Sequence, residues 1–481
     1  MQALKIKDYN TKDTIAAIAT YPASSALGVI KISGKRAFPI ISKIFSSQKK
    51  KDIKKAKTHT LHYGWIRNGI KGSSSKGPGA RVQGQGGNGV LDEVLVSIMR
   101  SPFSYTREDV VEISSHGGTL VLNKILERIL DEGARLALPG EFSYRAVKEG
   151  RIDLLQAESI RDIVEAKSEE GLKAAIRQLK GEKSKEIDRL KERLKELFVK
   201  TEALINFPED EVDISLGQIK SELKIIKDNI DGILAASEEA KILREGLKCV
   251  ICGKTNAGKS TLFNRLLKEE RVIVSRYPGT TRDVIEETIN IRGVPLRIYD
   301  TAGILEPKDL VTRKAVEKSA KAFSEADLVI LVLDGSKTLG KDDYFLLEKI
   351  KDKNAIFIIN KSDLTQKIQL DKLASFSVSK IKISALCDKG LKKLEEAVFK
   401  IVYKKGIKRE DAIFLSQYQK QSLEAARKSI LAAYQYMEKG YTVDFINFSL
   451  KESLDNLAKL SGKVLADEVL HDIFSNFCIG K

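Results

Sequence analysis

Residues Gly253-Lys254-Thr255-Asn256-Ala257-Gly258-Lys259-Ser260 fit the phosphate-loop pattern GxxxxGK[ST]. The pattern needs a strand before it and a helix after it. The apolar run Cys249–Cys252 predicts the strand and Thr261–Lys268 predicts the helix. In that setting the glycines let backbone N–H groups curl around phosphates, Lys259 supplies a point charge, and the Ser260 hydroxyl is placed for Mg²⁺. Further along, Asp300-Thr301-Ala302-Gly303 closes the predicted strand Leu296–Tyr299. An Asp there can hold the Mg²⁺ shell, and the Gly303 amide can sense a γ-phosphate. Asn360-Lys361-Ser362-Asp363 closes the predicted strand Ala355–Ile359. The Asp363 carboxylate can accept two hydrogen bonds from the guanine N1 and N2 edge, which adenine does not present. Ser384-Ala385-Leu386 then fits a loop closing over the base. Ligands of open α/β sheets bind at strand ends, and three motifs in this order predict GTP as the ligand. Between them, Gly279-Thr280-Thr281-Arg282-Asp283 reads as a switch segment, with Thr281 the second hydroxyl for Mg²⁺.

From Leu247 to about Lys405, apolar runs such as Leu328–Leu333 alternate with helical stretches, the pattern of a mostly parallel sheet. The segments on either side are helical. Ala157–Asn206 contains no Pro and only Gly171 and Gly181, and Ile187, Leu190, Leu194, Leu197, Phe198 and Leu204 recur at roughly helical spacing. Phe207-Pro208 breaks that run, and a second helix is expected from Gly217 to Arg244. Glu410 to the end is helical again, so the α/β unit reads as an insertion in a helical domain. Before position 150, Ala26–Ser33, Val90–Met99 and Val110–Ser114 read as strands. Gly72–Gly89 is rich in Gly and Ser and is expected to be a flexible insertion. The fold class is therefore multidomain: an N-terminal α+β domain over 1–150, helical segments over 151–246 and 406–481, and an α/β domain over 247–405.

A chain of 481 residues exceeds one ordinary core. Lys and Arg total 83 against 66 Asp and Glu, a net +17 that suits a polyanionic partner as well as an ordinary Lys-rich protein. Four Cys do not make a disulfide framework and suit a reducing, cytoplasmic setting. No apolar run is long enough to span a bilayer, so no membrane role is expected. Cys249 and Cys252 match CxxC, but three-residue spacing on a strand sends them to opposite faces, which predicts core residues rather than a metal site.

The flanking segments resemble the MnmE (TrmE) family of tRNA-modification GTPases over nearly the whole chain. The resemblance rests on Asp13–Thr20 with Ile30–Gly34, Ser104-Tyr105-Thr106, Glu108–Glu112, His116-Gly117-Gly118 and Pro139–Phe142. Asp153-Leu154, Gln156–Glu158, Asn206–Glu209 and the ending Phe477-Cys478-Ile479-Gly480-Lys481 extend it. It implies an N-terminal folate-binding and dimerisation domain and a Ras-like GTPase domain inserted in a helical one. It implies a homodimer that works with an MnmG-type flavoprotein, in a heterotetramer or larger complex, on C5 of the tRNA wobble uridine. A tetrahydrofolate derivative, in the 5,10-methylene or 5-formyl form, would supply the one-carbon unit. By motif position, Lys31, Glu112, Arg151 and Lys481 would contact folate: bases suit its carboxylates, and Glu112 suits pterin donors. The resemblance also implies K⁺ activation. Asn256 would be a ligand, and the longer loop Ser275–Thr281, with Ser275, Tyr277 and Thr280, would wrap the ion.

Several positions depart from the family pattern. Ser24-Ser25-Ala26-Leu27 stands where a glycine-rich turn is usual, and Lys31 and Arg151 exchange the usual Arg and Lys. Ile304 occupies the place of the water-orienting Gln of Ras-like proteins, and Thr312 stands where the family has the Glu that orients water. Glu306 is the nearby carboxylate that could substitute, and slow hydrolysis is expected if it does not. Cys478 is a possible reactive thiol near the folate site, or simply a small buried residue. Two other functions share the nucleotide motifs: a ribosome-assembly GTPase and a GTP-gated RNA-binding switch. The first does not need the folate-like N-terminal segments or the FCIGK ending, and Thr312 keeps the second in view as a switch with vestigial hydrolysis.

Overall fold

The computed structural model describes residues 9, 11–21, 23–47, 52–68, 89–206, 215–269, 286–300, 322–402, 411–462, 465 and 467–480. The expected Gly72–Gly89 insertion lies outside these residues except for Gly89. The chain divides into two compact units, Met1–Ala157 with Ala458–Lys481, and Glu158–Leu457. This division keeps the inserted α/β part with most of the helical part and groups 458–481 with the N-terminal part.

Among the described residues the first unit has seven strands: β1 (Ile15–Ile18), β2 (Ser25–Ser33), β3 (Phe45–Ser47), β4 (Thr60–Arg67), β5 (Val90–Met99), β6 (Val110–Gly117) and β7 (Arg135–Leu136). Their order is β3-β4-β5-β6-β2-β1-β7. Only the β1–β7 pair is parallel. Alternate residues Ile30, Ile32, Val94, Val96, Ile98, Val111 and Ile113 face helices α1 (Ala37–Ile44) and α2 (Thr119–Asp131), as the two-residue period of a strand requires. On the other face, near β1, Ile15, Ala17, Ala137 and Phe142 form a smaller cluster with Tyr105. Phe142 belongs to α3 (Glu141–Lys148). Behind it, the buried Arg145 guanidinium donates to Glu141 at 2.9 Å and to Glu108 at 3.0 Å, and Arg135 donates to Glu141 at 2.8 Å. Paired in this way, the buried charges avoid the penalty of an isolated ion.

The helical part of the second unit begins within α4 (Leu154–Glu165) and continues through α5 (Glu169–Leu179), α6 (Glu182–Asn206) and α7 (Leu216–Glu245). The run expected over 157–206 is thus three helices. Ser168 caps the start of α5 by accepting from Gly171 N–H, and Gly181 turns the chain before α6 with φ +79°. Ile187, Leu190, Leu194 and Leu197 are the buried stripe of α6, at the expected spacing.

The inserted sheet contains β8 (Leu247–Cys252), β9 (Glu286–Ile291), β10 (Val294–Asp300), β11 (Leu328–Asp334), β12 (Ala355–Asn360) and β13 (Ser379–Lys382), in the order β13-β12-β11-β8-β10-β9. Every pair is parallel except β9–β10. Helices α8 (Lys259–Glu269), α9 (Lys341–Lys349) and α10 (Leu391–Val402) accompany it. Cys249 packs into the core on one face and Cys252 into the core on the other, and burial pushes both thiols up. The chain returns as α11 (Gln417–Glu438) and α12 (Val443–Ala458), and the helix Asp467–Ser475 follows in the first unit. No helix among the described residues is long and apolar enough to cross a membrane.

Candidate functional site

Strand β8 runs directly into Gly253–Ser260. Gly253 (φ +146°) lies against the Val332 carbonyl and Gly258 (φ +97°) against the Asn360 side-chain amide, so neither position has room for a Cβ. Asn256 also takes a left-handed conformation, φ +64°. Lys259 Nζ donates to the carbonyls of Gly253 at 2.9 Å and Lys254 at 2.8 Å, which draws its ammonium over the loop. Ala257 is buried, whereas Ser260 and Thr261 are exposed in the first turn of α8. No acidic residue occupies that turn. A helix N-terminus, a glycine-rich loop and a lysine at one point make a phosphate cradle.

Asn360, at the end of β12, ties three loops together. Its Nδ2 donates to Ala257 O at 2.9 Å and its Oδ1 accepts from Ala385 N–H at 3.0 Å. Asn360, Ser384 and Ala385 are all buried. Lys361 (φ +60°) reaches back to Asp334 Oδ2 at 2.7 Å. Asp363 is exposed, and a hydrogen bond from the Ser384 hydroxyl, then its own backbone amide, hold its carboxyl below the usual range. Leu386, two residues after Ser384, is exposed. The sheet therefore brings together Asn256, Ala257, Gly258, Lys259, Ser260 and Thr261 with Asn360, Lys361, Asp363, Ser384, Ala385 and Leu386. The Asp300 backbone pairs with Ile251 at the end of β10. The Asp300 side chain, Ser275, Tyr277, Thr280, Thr281, Thr301, Ala302, Gly303, Glu306 and Thr312 lie outside the described residues, as does Lys481. Asp334 and Asp343 belong to no nucleotide motif and were not singled out by sequence. The strand-end rule could have found Asp334 but not Asp343.

In the first unit, Ala17, Lys31, Glu112 and Ser97 form one register row across β1, β2, β6 and β5. Row partners share a face, and Lys31 Nζ lies 3.7 Å from Glu112 Oε1 with both side chains about one-third exposed (29% and 34%). The Arg151 guanidinium sits over the Tyr105 ring at 5.7 Å, and the Tyr105 and Ser143 hydroxyls are 2.8 Å apart. Cys478 is exposed, and its carbonyl accepts from Gly140 N–H at 3.3 Å. Gly480 packs against Ile18 and Ala19 at the end of β1.

The model of the GTP-binding protein TrmE N-terminus matches residues 14–151, and that of the MnmE helical domain matches residues 154–478. The chain belongs to the MnmE family. A tRNA modification GTPase MnmE of Thermoanaerobacter pseudethanolicus is 43% identical over 473 residues, which are 98% of this chain and 99% of that protein. The MnmE of Clostridioides difficile is 41% identical with the same coverage. Among solved structures, Aquifex aeolicus Era bound to GDP·AlF₄⁻ is 27% identical, with a TM-score of 0.27 over 38% of this chain and 66% of its own. The G domain of the T. maritima FeoB iron transporter is 25% identical, with a TM-score of 0.26 over 32% and 98%. Apart from Asp13, the N-terminal segments of this MnmE-family chain that carry the resemblance, up to Phe142, fall within the TrmE N-terminus match, and Phe477 and Cys478 of the terminal signature fall within the helical-domain match. Among the described residues, no group of three His, Cys, Asp or Glu side chains is gathered for a metal ion.

Proposed function

We propose that this MnmE-family chain is a GTP hydrolase of tRNA modification. With an MnmG-type flavoprotein it would add an aminomethyl or carboxymethylaminomethyl group to C5 of the wobble uridine, drawing on a tetrahydrofolate one-carbon unit in the 5,10-methylene or 5-formyl form. The observation that carries this reading is the 43% identity to an MnmE over 98% of the chain, joined to a preformed phosphate cradle. The cradle suits a nucleotide: Asn256–Thr261 take the phosphates and Asn360, Lys361, Asp363 and Ser384–Leu386 take the guanine. Mg²⁺ would be held by Ser260 and Thr281 with Asp300 in its shell, and K⁺ by Asn256, Ser275, Tyr277 and Thr280. Thr301, Ala302 and Gly303 face the γ-phosphate in this reading, and Glu306 orients the attacking water that Thr312 cannot.

Support for folate comes from the Lys31–Glu112 row, which offers a cation and an anion side by side, with Arg151 and Lys481 completing the set. In this reading Cys478 is a reactive thiol near that site. Leu61, Tyr63 and Leu95 are exposed on the sheet face opposite α1 and α2, which favours covering by a second copy in a homodimer. We divide the chain into a folate and dimerisation domain (1–150), a GTPase domain (247–405) and a helical domain (151–246 and 406–481), acting in the cytoplasm. The test is mass analysis of wobble uridine in tRNA from cells lacking the protein. Loss of the C5 group, restored by this chain but not by Lys259→Ala, is the expected result. Fully modified wobble uridine in the deletion strain would reject the reading in favour of a ribosome-assembly GTPase.

A further inference from the structure

The connector from β11 to α9 carries two carboxylates that reach different loops. Asp334 ends β11, and its Oδ2 takes Lys361 Nζ at 2.7 Å while its Oδ1 takes the amide and hydroxyl of Ser336 at 3.0 and 2.6 Å. Asp343 lies in the first turn of α9, and its Oδ2 takes Lys254 Nζ at 2.6 Å and Gly340 N–H at 2.9 Å. Both acidic side chains are largely buried, 11% and 8% exposed, while each lysine is 30% exposed. Gly340 is part of this device: a Cβ there would lie 2.7 Å from the Lys254 ammonium. Between the two, Gly335 N–H donates to Asn360 O at 2.9 Å and Gly335 O accepts from Lys367 N–H at 2.8 Å.

Exposed ion pairs hold little, because water competes for both partners and long side chains must be ordered. These pairs differ. Each carboxylate is withdrawn from water, is ordered by neighbouring N–H groups, and meets a lysine whose backbone forms a nucleotide loop. Lys254 belongs to the phosphate loop and Lys361 to the base loop, and both answer to one ten-residue connector, Asp334 to Asp343. We propose that Asp334 and Asp343 are positioning residues of the nucleotide site, which fix the phosphate loop and the base loop at the separation a bound guanine nucleotide needs. This rests on reading those loops as the GTP site.

The test uses the full chain and a fluorescent GDP whose release is timed. Asp334→Asn, Asp343→Asn and Lys254→Met are each expected to speed release about tenfold, the factor that one charge-assisted hydrogen bond represents. The double variant Lys254→Met/Asp343→Asn is expected to release GDP no faster than either single one, because the pair is a single interaction. Asp334→Asn combined with Asp343→Asn should multiply, since the two act on different loops. Release at the unmodified rate in all three single variants would overturn the proposal. So would multiplying effects of Lys254→Met and Asp343→Asn, or faster release that merely tracks a lowered melting temperature of the nucleotide-free protein. If the unmodified chain binds adenine nucleotides as well as guanine ones, the site reading itself falls, and the two failures are told apart.

Discussion

Asp363 shows how a single exposed carboxylate can set specificity. Its acceptor character is secured by the Ser384 hydroxyl, then by its own backbone amide, which hold the carboxyl below its usual range and keep it ionised at neutral pH. Guanine offers two donors to such a group and adenine offers none. A site built to pair a donor rejects an analogue lacking it by ~10⁴-fold or more, because the carboxylate is left without its hydrogen bonds. Competition against labelled GDP should therefore find ATP ineffective. Asp363→Asn replaces one acceptor by a donor, and it should turn the preference toward xanthine nucleotides, whose C2 carries an oxygen. An unchanged GDP preference in that variant would mean that another group reads the base. This residue was legible in the sequence because NKxD is local: four neighbours at a strand end carry the whole signal. Asp334 and Asp343 were not, because what they do depends on Lys361 and Lys254, 27 and 89 positions away in the chain.

At the scale of elements, the segment that returns from the inserted sheet is held by side chains of α4 and α5. Gln178 of α5 donates from Nε2 to Phe414 O at 3.0 Å and accepts from Phe414 N–H at 3.0 Å, all of it buried. Gln178→Ala would leave a buried N–H and C=O without these partners, and urea unfolding should report a loss of ~2–4 kcal/mol. Glu158 of α4 lies beside the Ser416–Gln419 capping box that starts α11. Burial raises its pKa from 4.5 to about 7, against the hydrogen bonds of Ser416 and Gln419; the Asp162 charge raises it and the Arg161 charge lowers it. The folded state then holds a proton that the unfolded chain has lost, so stability falls as pH rises from 4.5 to about 7. Asp162, raised from 3.8 to about 6 by burial, adds the same slope in its own lower window. Glu158→Gln should flatten the upper part of the pH–stability curve and stabilise the chain at pH 8 by on the order of 1–3 kcal/mol. Equal slopes in both proteins between pH 6 and 8 would sink this assignment. Sequence periodicity found these helices but merged α4, α5 and α6. The breaks depend on one cap at Ser168 and one left-handed Gly181, which a spacing count does not register. It also passed over β9, a sheet-edge strand in which Ile289 and Ile291 are the only apolar residues of EETINI.

At the scale of the whole molecule, chain order and spatial grouping diverge at the end of the chain. Helical spacing continues past Leu457, so nothing local says that residues 458–481 pack with the N-terminal strands instead of the bundle that precedes them. The returning segment is specific. Gly140 (φ +66°) has no room for a Cβ beside Phe474, Phe477 is buried with its ring 5.0 Å from that of Phe474, and Gly480 meets the end of β1. The phosphate and base loops lie in the other unit. Deleting Phe477–Lys481 should accordingly abolish wobble-uridine modification and leave GDP affinity unchanged. Loss of Phe477 could act by loosening the first unit, so Lys481→Ala, which leaves Phe477 in place, is the companion variant. It should lower modification while the melting temperature stays put. Modification measured by mass analysis of tRNA, beside GDP binding for the same three proteins, decides the matter. Full modification by the truncated chain would show that the terminal residues serve packing alone. A fall in GDP affinity on truncation would show instead that the two units are coupled through the nucleotide site.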